Sequence, residues 1–231
     1  MENPRENPIQ PRLPRRAILA GAAASAVLVL PGCATLGSLS LVDVIRRLLE
    51  RSTQNALARL MAPGGFWDNQ LARLDLPGAF GGRGLVLQTL LAAAPVRNRL
   101  QREMNRVAEG GARRAAPIVA DAVRAIGIDN AKALISGGPT AATDLLRTAM
   151  NGRLVEEMIP ALGEGLRAAS DPIVGQAIAA LTGIDLTGVA RSLSEKAENS
   201  IWAEIGREEG SIRANPQATG DPLLIAAFKV A

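Results

Sequence analysis

Carboxyl groups are the only side chains here that could serve acid–base catalysis, because the sequence of 231 residues contains no histidine. That absence excludes Ser-His-Asp catalysis, Cys-His catalysis and histidine-ligated zinc. Glu109 is the strongest candidate acid, since it follows the apolar pair Val107-Ala108 and burial would raise its pKa. A wall hydrolase of the lysozyme type needs one such protonated carboxyl group. Aromatic residues that could stack on sugars are nearly absent, and we therefore predict that the protein is not an enzyme.

The positions of the other acidic residues favour a polar loop and ion pairs over a metal site or catalysis. Asp68, Asn69 and Asp75 lack the Asp-x-Asp-x-Asp-Gly pattern of a calcium loop and indicate a polar loop. We therefore predict no metal site and no cofactor. Two further pairs share helix faces with basic residues three or four positions away, and we expect them to be solvated ion pairs. These pairs are Glu195/Glu198 and Glu204/Glu208.

The single cysteine, Cys33, lies where its thiol could be acylated. Leu30-Pro31-Gly32-Cys33 resembles a bacterial lipobox, although proline is unusual at its position. Two or three acyl chains, at about 0.8 kcal/mol per buried methylene, would anchor the protein stably. Ala34 after the cysteine favours the outer membrane. The alternatives are a buried free cysteine and cleavage after Ala34, which would release a soluble protein.

A basic pair, Arg15-Arg16, directly precedes the uncharged stretch Ala17–Leu30. As a helix these fourteen residues would rise only about 21 Å, too short for the bilayer core. The pattern predicts a cleavable export signal. Arg15 and Arg16 resemble a twin-arginine motif, and an ordinary secretory signal with two arginines is the alternative.

These features divide the chain into three parts: a signal peptide over 1–32, a lipidated tether over 33–40 and one helical domain over 41–231. The mature region is long enough for one core. Removing four arginines and two glutamates with the signal lowers the net charge from +4 to about +2. A nucleic-acid partner is therefore not predicted.

Helical periodicity runs through most of the mature region, apart from an irregular link expected over Phe66–Gly84, with no lasting two-residue alternation. Ser40 and Asp43 form a capping-box pattern before an amphipathic helix that ends ahead of Pro63. Its predicted buried stripe consists of Leu41, Val44, Ile45, Leu48, Ser52, Ala56 and Leu60. We expect an all-α, irregular multi-helix bundle, preceded by the signal peptide.

Two apolar segments, Leu85–Ala94 and Pro172–Leu181, are interpreted as buried helices. The other expected helices are Val96–Ala115, Pro117–Ile126, Asp129–Ile135, a helix from Pro139 or Thr140 to Met150, Arg153–Ala169 and Asp185–Arg213. The last of these carries an apolar stripe at i+4 spacing, Val189, Leu193, Ala197, Ile201 and Ile205, and the tail after it carries an apolar patch of Leu223-Leu224-Ile225 with Phe228.

Three blocks of the mature chain carry a family likeness. They are Leu36–Val44, then Met104–Glu109 with Ala115–Pro117, Asp121-Ala122 and Gly137–Arg147, and finally Lys196–Pro216. In this order they resemble an exported bacterial family known as domain of unknown function 4197. The chain departs from that family at Leu145-Leu146, where two aromatic residues are common, and at its C-terminus. The resemblance implies an all-α exported domain and no particular activity.

Three functions follow as hypotheses. The first is a non-catalytic envelope lipoprotein that binds a protein partner, with Thr140, Thr143, Asp144 and Arg147 as the candidate partner surface. The alternative is a module that binds a lipid or another apolar ligand in a cavity between helices. A carboxylate-dependent wall hydrolase is the remote third. In each case we expect export to the periplasmic face of a membrane, held there through Cys33.

Overall fold

The computed structural model describes residues 40–76, 92–168 and 186–229, all within one compact unit, Leu39–Ala231. Every regular element in these ranges is helical, which confirms the predicted all-α fold. The helices are α1 Leu41–Leu60, α2 Ala94–Ala125, α3 Ala131–Ile135, α4 Ala141–Met150, α5 Arg153–Arg167, α6 Leu186–Ala214, a 3-10 turn Pro216–Thr219 and α7 Pro222–Phe228.

Helix α1 begins and ends where the sequence predicts, but its start differs in detail. Ser40 precedes the helix without a side-chain capping bond. The Asp43 carboxylate is instead 3.4 Å from Arg46, so the capping box is wrong. Leu41, predicted on the buried stripe, is 45% exposed. The rest of that stripe is buried, including Val44, Ile45, Leu48, Ser52, Ala56 and Leu60.

Helix α2 is one continuous helix, where we expected two helices separated before Pro117. A proline inside a helix leaves only the carbonyl four residues earlier without its donor. That residue, Arg113, is exposed, and so is Pro117, so water can solvate the free carbonyl. Buried alanines on the opposite face keep the helix packed, and the break at Pro117 is therefore wrong.

Four long helices, α1, α2, α5 and α6, enclose the core of the domain. Helix α6 packs against α1 and α5, and α2 packs against the same two helices. The predicted stripe of α6 is confirmed, since Val189, Leu193, Ala197, Ile201 and Ile205 are all buried. Helices α3, α4 and α7 pack on this core, with Leu224 and Phe228 of α7 buried as the apolar tail pattern predicts.

Small residues allow α2 and α5 to approach closely. A Cβ atom added to Gly111 of α2 would lie 2.9 Å from Leu162 of α5. A Cβ atom added to Gly165 of α5 would lie 2.9 Å from Val107 of α2. The two contacts also show that the helices run antiparallel, because residue numbers rise along one and fall along the other.

Several predictions concern residues outside the described ranges. These are the export signal with Arg15 and Arg16, the acylation site Cys33, and most of the apolar segments Leu85–Ala94 and Pro172–Leu181. They stay predictions. Among the helices that the structure describes, none has the length and hydropathy needed to cross a bilayer.

Candidate functional site

The irregular segment 61–76, which follows α1, is held by buried polar side chains from α2 and α6. Asn105 of α2 is fully buried, and its amide pairs with both backbone groups of Leu74, at 2.8 Å to the N–H and 2.9 Å to the carbonyl. Ser200 of α6 donates to the carbonyl of Ala72 at 3.1 Å. A segment without regular structure thus has its inner backbone groups satisfied by the bundle.

Glu109 holds the tight turn at the start of this segment. Its carboxylate accepts the backbone N–H of Gly64 at 2.9 Å, and the residue is 5% exposed. Burial raises the pKa of Glu109 above its usual value, although the Gly64 N–H and the cations Arg113 and Arg106 act against that rise. Gly64 has a φ of +80°, a conformation that glycine adopts without strain. Burial at Glu109 agrees with the sequence prediction, and its contact is with the fold's own backbone.

A network of charges lies between the end of α1 and α6. Glu204 is fully buried and accepts the amide of Asn69 at 2.7 Å and the guanidinium of Arg207 at 3.0 Å. Glu208 is 7% exposed and pairs with Arg207 at 3.1 Å and with Arg59. The expectation of solvated pairs is therefore wrong for both glutamates. Their positions three residues after Ile201 and Ile205, at the edge of the apolar stripe, are the sequence signal that could have indicated burial.

The bonds in this network hold Glu204 in its ionised form. Burial alone would raise the pKa of Glu204, but the hydrogen bonds from Arg207 and Asn69 outweigh it and lower that pKa below the usual value. The same pairing raises the pKa of Arg207. Arg59 and Arg207 keep 45% and 47% of their side chains exposed, so each presents a guanidinium edge to solvent from a fixed position.

These residues line an open groove of about 640 Å³, which we call the charged groove. Its walls are the end of α1, the segment 62–71 and α6, and its charged lining is Arg59, Asp68, Glu204 and Arg207. Leu71 also lines it and is 49% exposed, one of two large hydrophobic residues exposed in the described ranges. The groove thus combines an apolar side chain with two fixed arginines and an exposed carboxylate. This composition matches that of protein-binding surfaces.

Trp67 sits on the same segment between two cations. The guanidinium of Arg73 lies 4.7 Å from the ring centroid, and that of Arg102, from α2, lies 5.0 Å away. Arg73 also donates to the Trp67 carbonyl at 2.5 Å. These contacts tie the segment to α2 through one of the few aromatic residues of the chain.

The predicted partner surface over Gly137–Arg147 divides into a buried part and an exposed part. Thr143 is 2% exposed, and both its N–H and its hydroxyl donate to Glu209 of α6, at 2.7 and 2.6 Å. Burial removes Thr143 from any partner surface. Thr140 bonds to Asp144 at 2.9 Å, and Arg147 bonds to Asn199 at 2.5 Å. Asp144 and Arg147 are exposed.

Glu209 holds the segment around Gly137–Thr143, which belongs to one of the blocks of family resemblance, in place. Its other oxygen accepts the Ala142 N–H at 3.0 Å and the Arg213 guanidinium at 2.7 Å. A residue from α6 thereby caps the N-terminus of α4, where backbone N–H groups lack partners. Arg213 in turn donates to the carbonyls of Ile135 and Leu134, at 3.0 and 2.8 Å. This buried pair organises three helices.

A second groove, of about 490 Å³, lies between the C-terminal end of α2 and helix α4, and we call it the apolar groove. Its wall is mainly aliphatic, with Asp121 and Arg153 also contributing to the lining. The described residues that line it do not belong to the apolar segments of the sequence, Leu85–Ala94 and Pro172–Leu181. The aliphatic wall consists of Ile118, Ala122, Ala125, Ile126, Leu145, Leu146, Ala149 and Met150.

No group of three or more potential metal ligands occurs among the residues that the structure describes. Asn69 is predicted to lie in a polar loop. Its side-chain oxygen accepts two backbone N–H groups, that of Leu71 at 2.9 Å and that of Ala72 at 3.2 Å. This loop geometry, together with the bond to Glu204, accounts for Asn69 without an ion.

Comparison with known proteins gives one match. The model of a protein family described as "Protein of unknown function (DUF4197)" matches residues 35–229. No curated protein and no solved structure matches the chain.

Proposed function

Since this chain belongs to the DUF4197 family, whose function is unknown, we propose that it is a cell-envelope lipoprotein whose helical domain binds a protein partner without catalysis. Export would use the Arg15-Arg16 signal, and acylation of Cys33 would hold the domain at the periplasmic face of a membrane. The outer membrane is favoured over the inner membrane. The charged groove is the binding surface in this proposal.

The main observation in support of this proposal is that Leu71 is exposed on a segment whose inner side is held by hydrogen bonds to the helical bundle. Asn105, Glu109 and Ser200 satisfy the inner side of that segment, so the exposed side is presented in one conformation. A preorganised surface loses little entropy on binding. Arg59 and Arg207 flank Leu71 in the same groove, and arginine beside an apolar anchor is typical of the residues that dominate binding energy.

The proposal is tested by replacing Leu71 with a photo-crosslinking residue in cells. We expect one discrete adduct, and we expect Arg207→Glu to abolish it, since that change reverses a charge in the groove. The same replacement at Thr148, an exposed residue of α4, tests the Asp144–Arg147 surface instead. Ala133, exposed on α3, serves as the control. Adducts of equal yield at positions 71 and 133, or none at either, would contradict the proposal.

One observation favours a second function, carboxylate-dependent hydrolysis. Glu109 is buried, and burial raises its pKa, as a general acid requires. Asp68 is close enough to raise that pKa further. The test is release of muropeptides by the purified protein. Release that Glu109→Gln abolishes while the fold is retained would establish hydrolysis in place of non-catalytic partner binding. We expect no release from either form.

A further inference from the structure

We propose that the protein partner of the charged groove carries a carboxylate on an extended segment, and that Arg51 binds this carboxylate in an adjoining groove. The inference rests on the proposed function, because it names the chemistry of that partner and extends its binding surface. The adjoining groove has a volume of about 320 Å³ and lies between α1, α6 and the 3-10 turn, and we call it the polar groove. Its polar lining consists of Arg51, Asn55, Glu208, Ser211, Asn215 and Thr219.

The two grooves lie in line along helices α1 and α6, which run antiparallel. Arg59, near the end of α1, pairs with Glu208 of α6. Arg51, two turns earlier in α1, shares the polar groove with Ser211 and Asn215 toward the end of α6. One register accounts for these contacts, with positions 51, 55 and 59 beside positions 215, 211 and 207. Glu208 lines the polar groove and also pairs with both arginines of the charged groove, so the two grooves share a wall.

Arg51 is half-buried and has no counter-ion among the residues that the structure describes. Glu208, in the same groove, is already paired with the two arginines of the charged groove. Glu50, next to Arg51 in α1, and Asp221, after the 3-10 turn, pair with Arg47 at 3.4 and 3.2 Å. A guanidinium group binds a carboxylate through two parallel hydrogen bonds. An external carboxylate therefore supplies the negative charge that this groove lacks.

Three further side chains of the polar groove have unused hydrogen-bonding capacity. Asn55, Ser211 and Asn215 are exposed, and their side chains form no hydrogen bond within the described part of the chain. An asparagine amide carries both donors and an acceptor, so it can pair with both polar groups of a peptide backbone. Asn105 pairs with Leu74 in this way inside the domain. The two asparagines of the polar groove, one from each helix region, thus match a peptide chain and not only a free anion.

The spacing between the grooves determines what the partner segment must contain. Arg51 and Arg59 are eight positions apart in α1, which is about 12 Å along the helix axis. An extended chain covers that distance in about four residues. A segment whose carboxylate lies on Arg51 therefore reaches the charged groove at least about four residues away. An apolar side chain there would cover Leu71, which is 49% exposed.

The test selects a phage-displayed library of random dodecapeptides on the whole protein, purified and immobilised. We expect enrichment of peptides in which an acidic residue stands at least four positions from an apolar one. The affinity of an enriched peptide is then measured by fluorescence polarisation. Arg51→Gln should weaken binding by at least about tenfold, because hydrogen bonds to a charged group are lost. Arg97→Gln, which replaces an exposed arginine at the start of α2, is the control and should leave binding unchanged.

Two further variants separate loss of binding from loss of fold. Arg51→Lys keeps the charge but not the planar pair of donors, so it should weaken binding less than Arg51→Gln. Asn215→Asp places a carboxylate beside Arg51 and should weaken binding of the acidic peptide as strongly as Arg51→Gln does. Thermal unfolding of each variant is compared with that of the wild type. Weakened binding in Asn215→Asp at an unchanged melting temperature supports the inference.

The remaining outcomes distinguish this inference from the proposed function. Enriched peptides that lack an acidic residue, or whose binding requires Arg207 but not Arg51, would overturn the inference and leave the charged groove as the partner surface. No enriched peptide, together with a discrete crosslinked adduct at Leu71, would do the same. No enriched peptide and no adduct would remove both. Binding of phosphatidylglycerol vesicles that depends on Arg51 would assign the polar groove to a lipid surface and so also overturn the inference.

Discussion

Glu109, Glu204 and Glu209 are each buried, and each carboxylate accepts hydrogen bonds from a segment distant in sequence. Glu109 binds the turn at Gly64, Glu204 binds Asn69, and Glu209 binds the start of α4. A buried charge is costly unless it is paired and hydrogen-bonded. The partners of Glu204 and Glu209 include an arginine and supply that compensation, whereas at Glu109 the Gly64 N–H offsets burial only in part. In a chain without histidine, glutamates thus perform the positioning of irregular segments.

The raised pKa of Glu109 predicts how its replacement depends on pH. In the native state the carboxyl group is protonated at a pH where the unfolded chain has already released the proton, so the native state binds more protons. Stability from this group is therefore greatest at low pH and falls as the pH rises through the raised pKa. Glu109→Gln keeps an acceptor for Gly64 without this penalty. We expect its unfolding free energy, measured by urea titration, to gain on the wild type between pH 4 and pH 7.

Glu109→Ala provides the matched comparison. It leaves the half-buried Gly64 N–H without this acceptor, which costs about 1–3 kcal/mol. Equal stability of the glutamine and alanine variants would show that the bond to Gly64 contributes nothing, contrary to this account.

Glu204 predicts the opposite dependence. Its pKa is lowered in the native state because the bonds from Arg207 and Asn69 outweigh burial, so the unfolded chain takes up the proton first as the pH falls. The stabilisation is present above the unfolded value and is lost as the pH falls through the lowered native pKa. Glu204→Gln should cost about 1–3 kcal/mol at pH 7 and less near pH 3. A cost that is independent of pH in urea titrations would contradict the pairing.

At the scale of elements, helix α4 depends on a side chain from α6. Four groups meet at Glu209: the N–H groups of Ala142 and Thr143, the Thr143 hydroxyl and the Arg213 guanidinium. The short helix α4 has no side-chain cap of its own at Thr140. Its position, and with it one wall of the apolar groove, is therefore set by a contact made 67 residues further along the chain.

Glu209→Ala is expected to lower the unfolding free energy by about 3–5 kcal/mol, because Arg213, whose side chain is only 10% exposed, loses its carboxylate partner. Hydrogen exchange should accelerate first at the amides of Ala142 and Thr143, which lose their acceptor. Glu195→Ala, which removes an exposed glutamate from the same helix, should change stability by less than about 0.5 kcal/mol. Unchanged protection of the two amides in Glu209→Ala would refute the cross-helix cap.

Adjacent glycines in α2 offer a test of the α2–α5 contact. Gly110 has open space around it, so Gly110→Ala should raise stability by about 0.5–1 kcal/mol through helix propensity. Gly111 faces Leu162 at close range, so Gly111→Val should lower it by about 1–3 kcal/mol through overpacking. Thermal unfolding of the two variants measures both effects. Stabilisation by both substitutions would mean that the helices are less closely packed than the structure has them.

Periodicity predicted the long helices well, because burial of an apolar stripe decides where they lie. The stripe of α6 and the end of α1 before Pro63 are examples. The break at Pro117 was wrong because a proline on the exposed face costs a helix little. Sequence patterns also missed that Asn105, Thr143 and Glu204 are buried. Each of them bonds to a group more than thirty positions away, respectively Leu74, Glu209 and Asn69, and local pattern carries no information on such contacts.

At the scale of the whole molecule, the two grooves are distinct in chemistry and position. The charged groove lies where α1 ends and carries fixed arginines beside Leu71. The apolar groove lies between the end of α2 and helix α4, and its wall is mainly aliphatic. In the proposed function, the charged groove contacts the partner. The family model matches residues 35–229, which include both grooves.

The proposed function depends on acylation of Cys33 after export. Intact-mass spectrometry of the membrane-extracted protein tests this acylation most directly. We predict a chain that begins at Cys33 and is heavier than residues 33–231 by a diacylglyceryl group, with or without a third acyl chain. Cys33→Ser should abolish that species. A chain that retains the residues before Cys33, or one that carries an unmodified cysteine, would contradict the account.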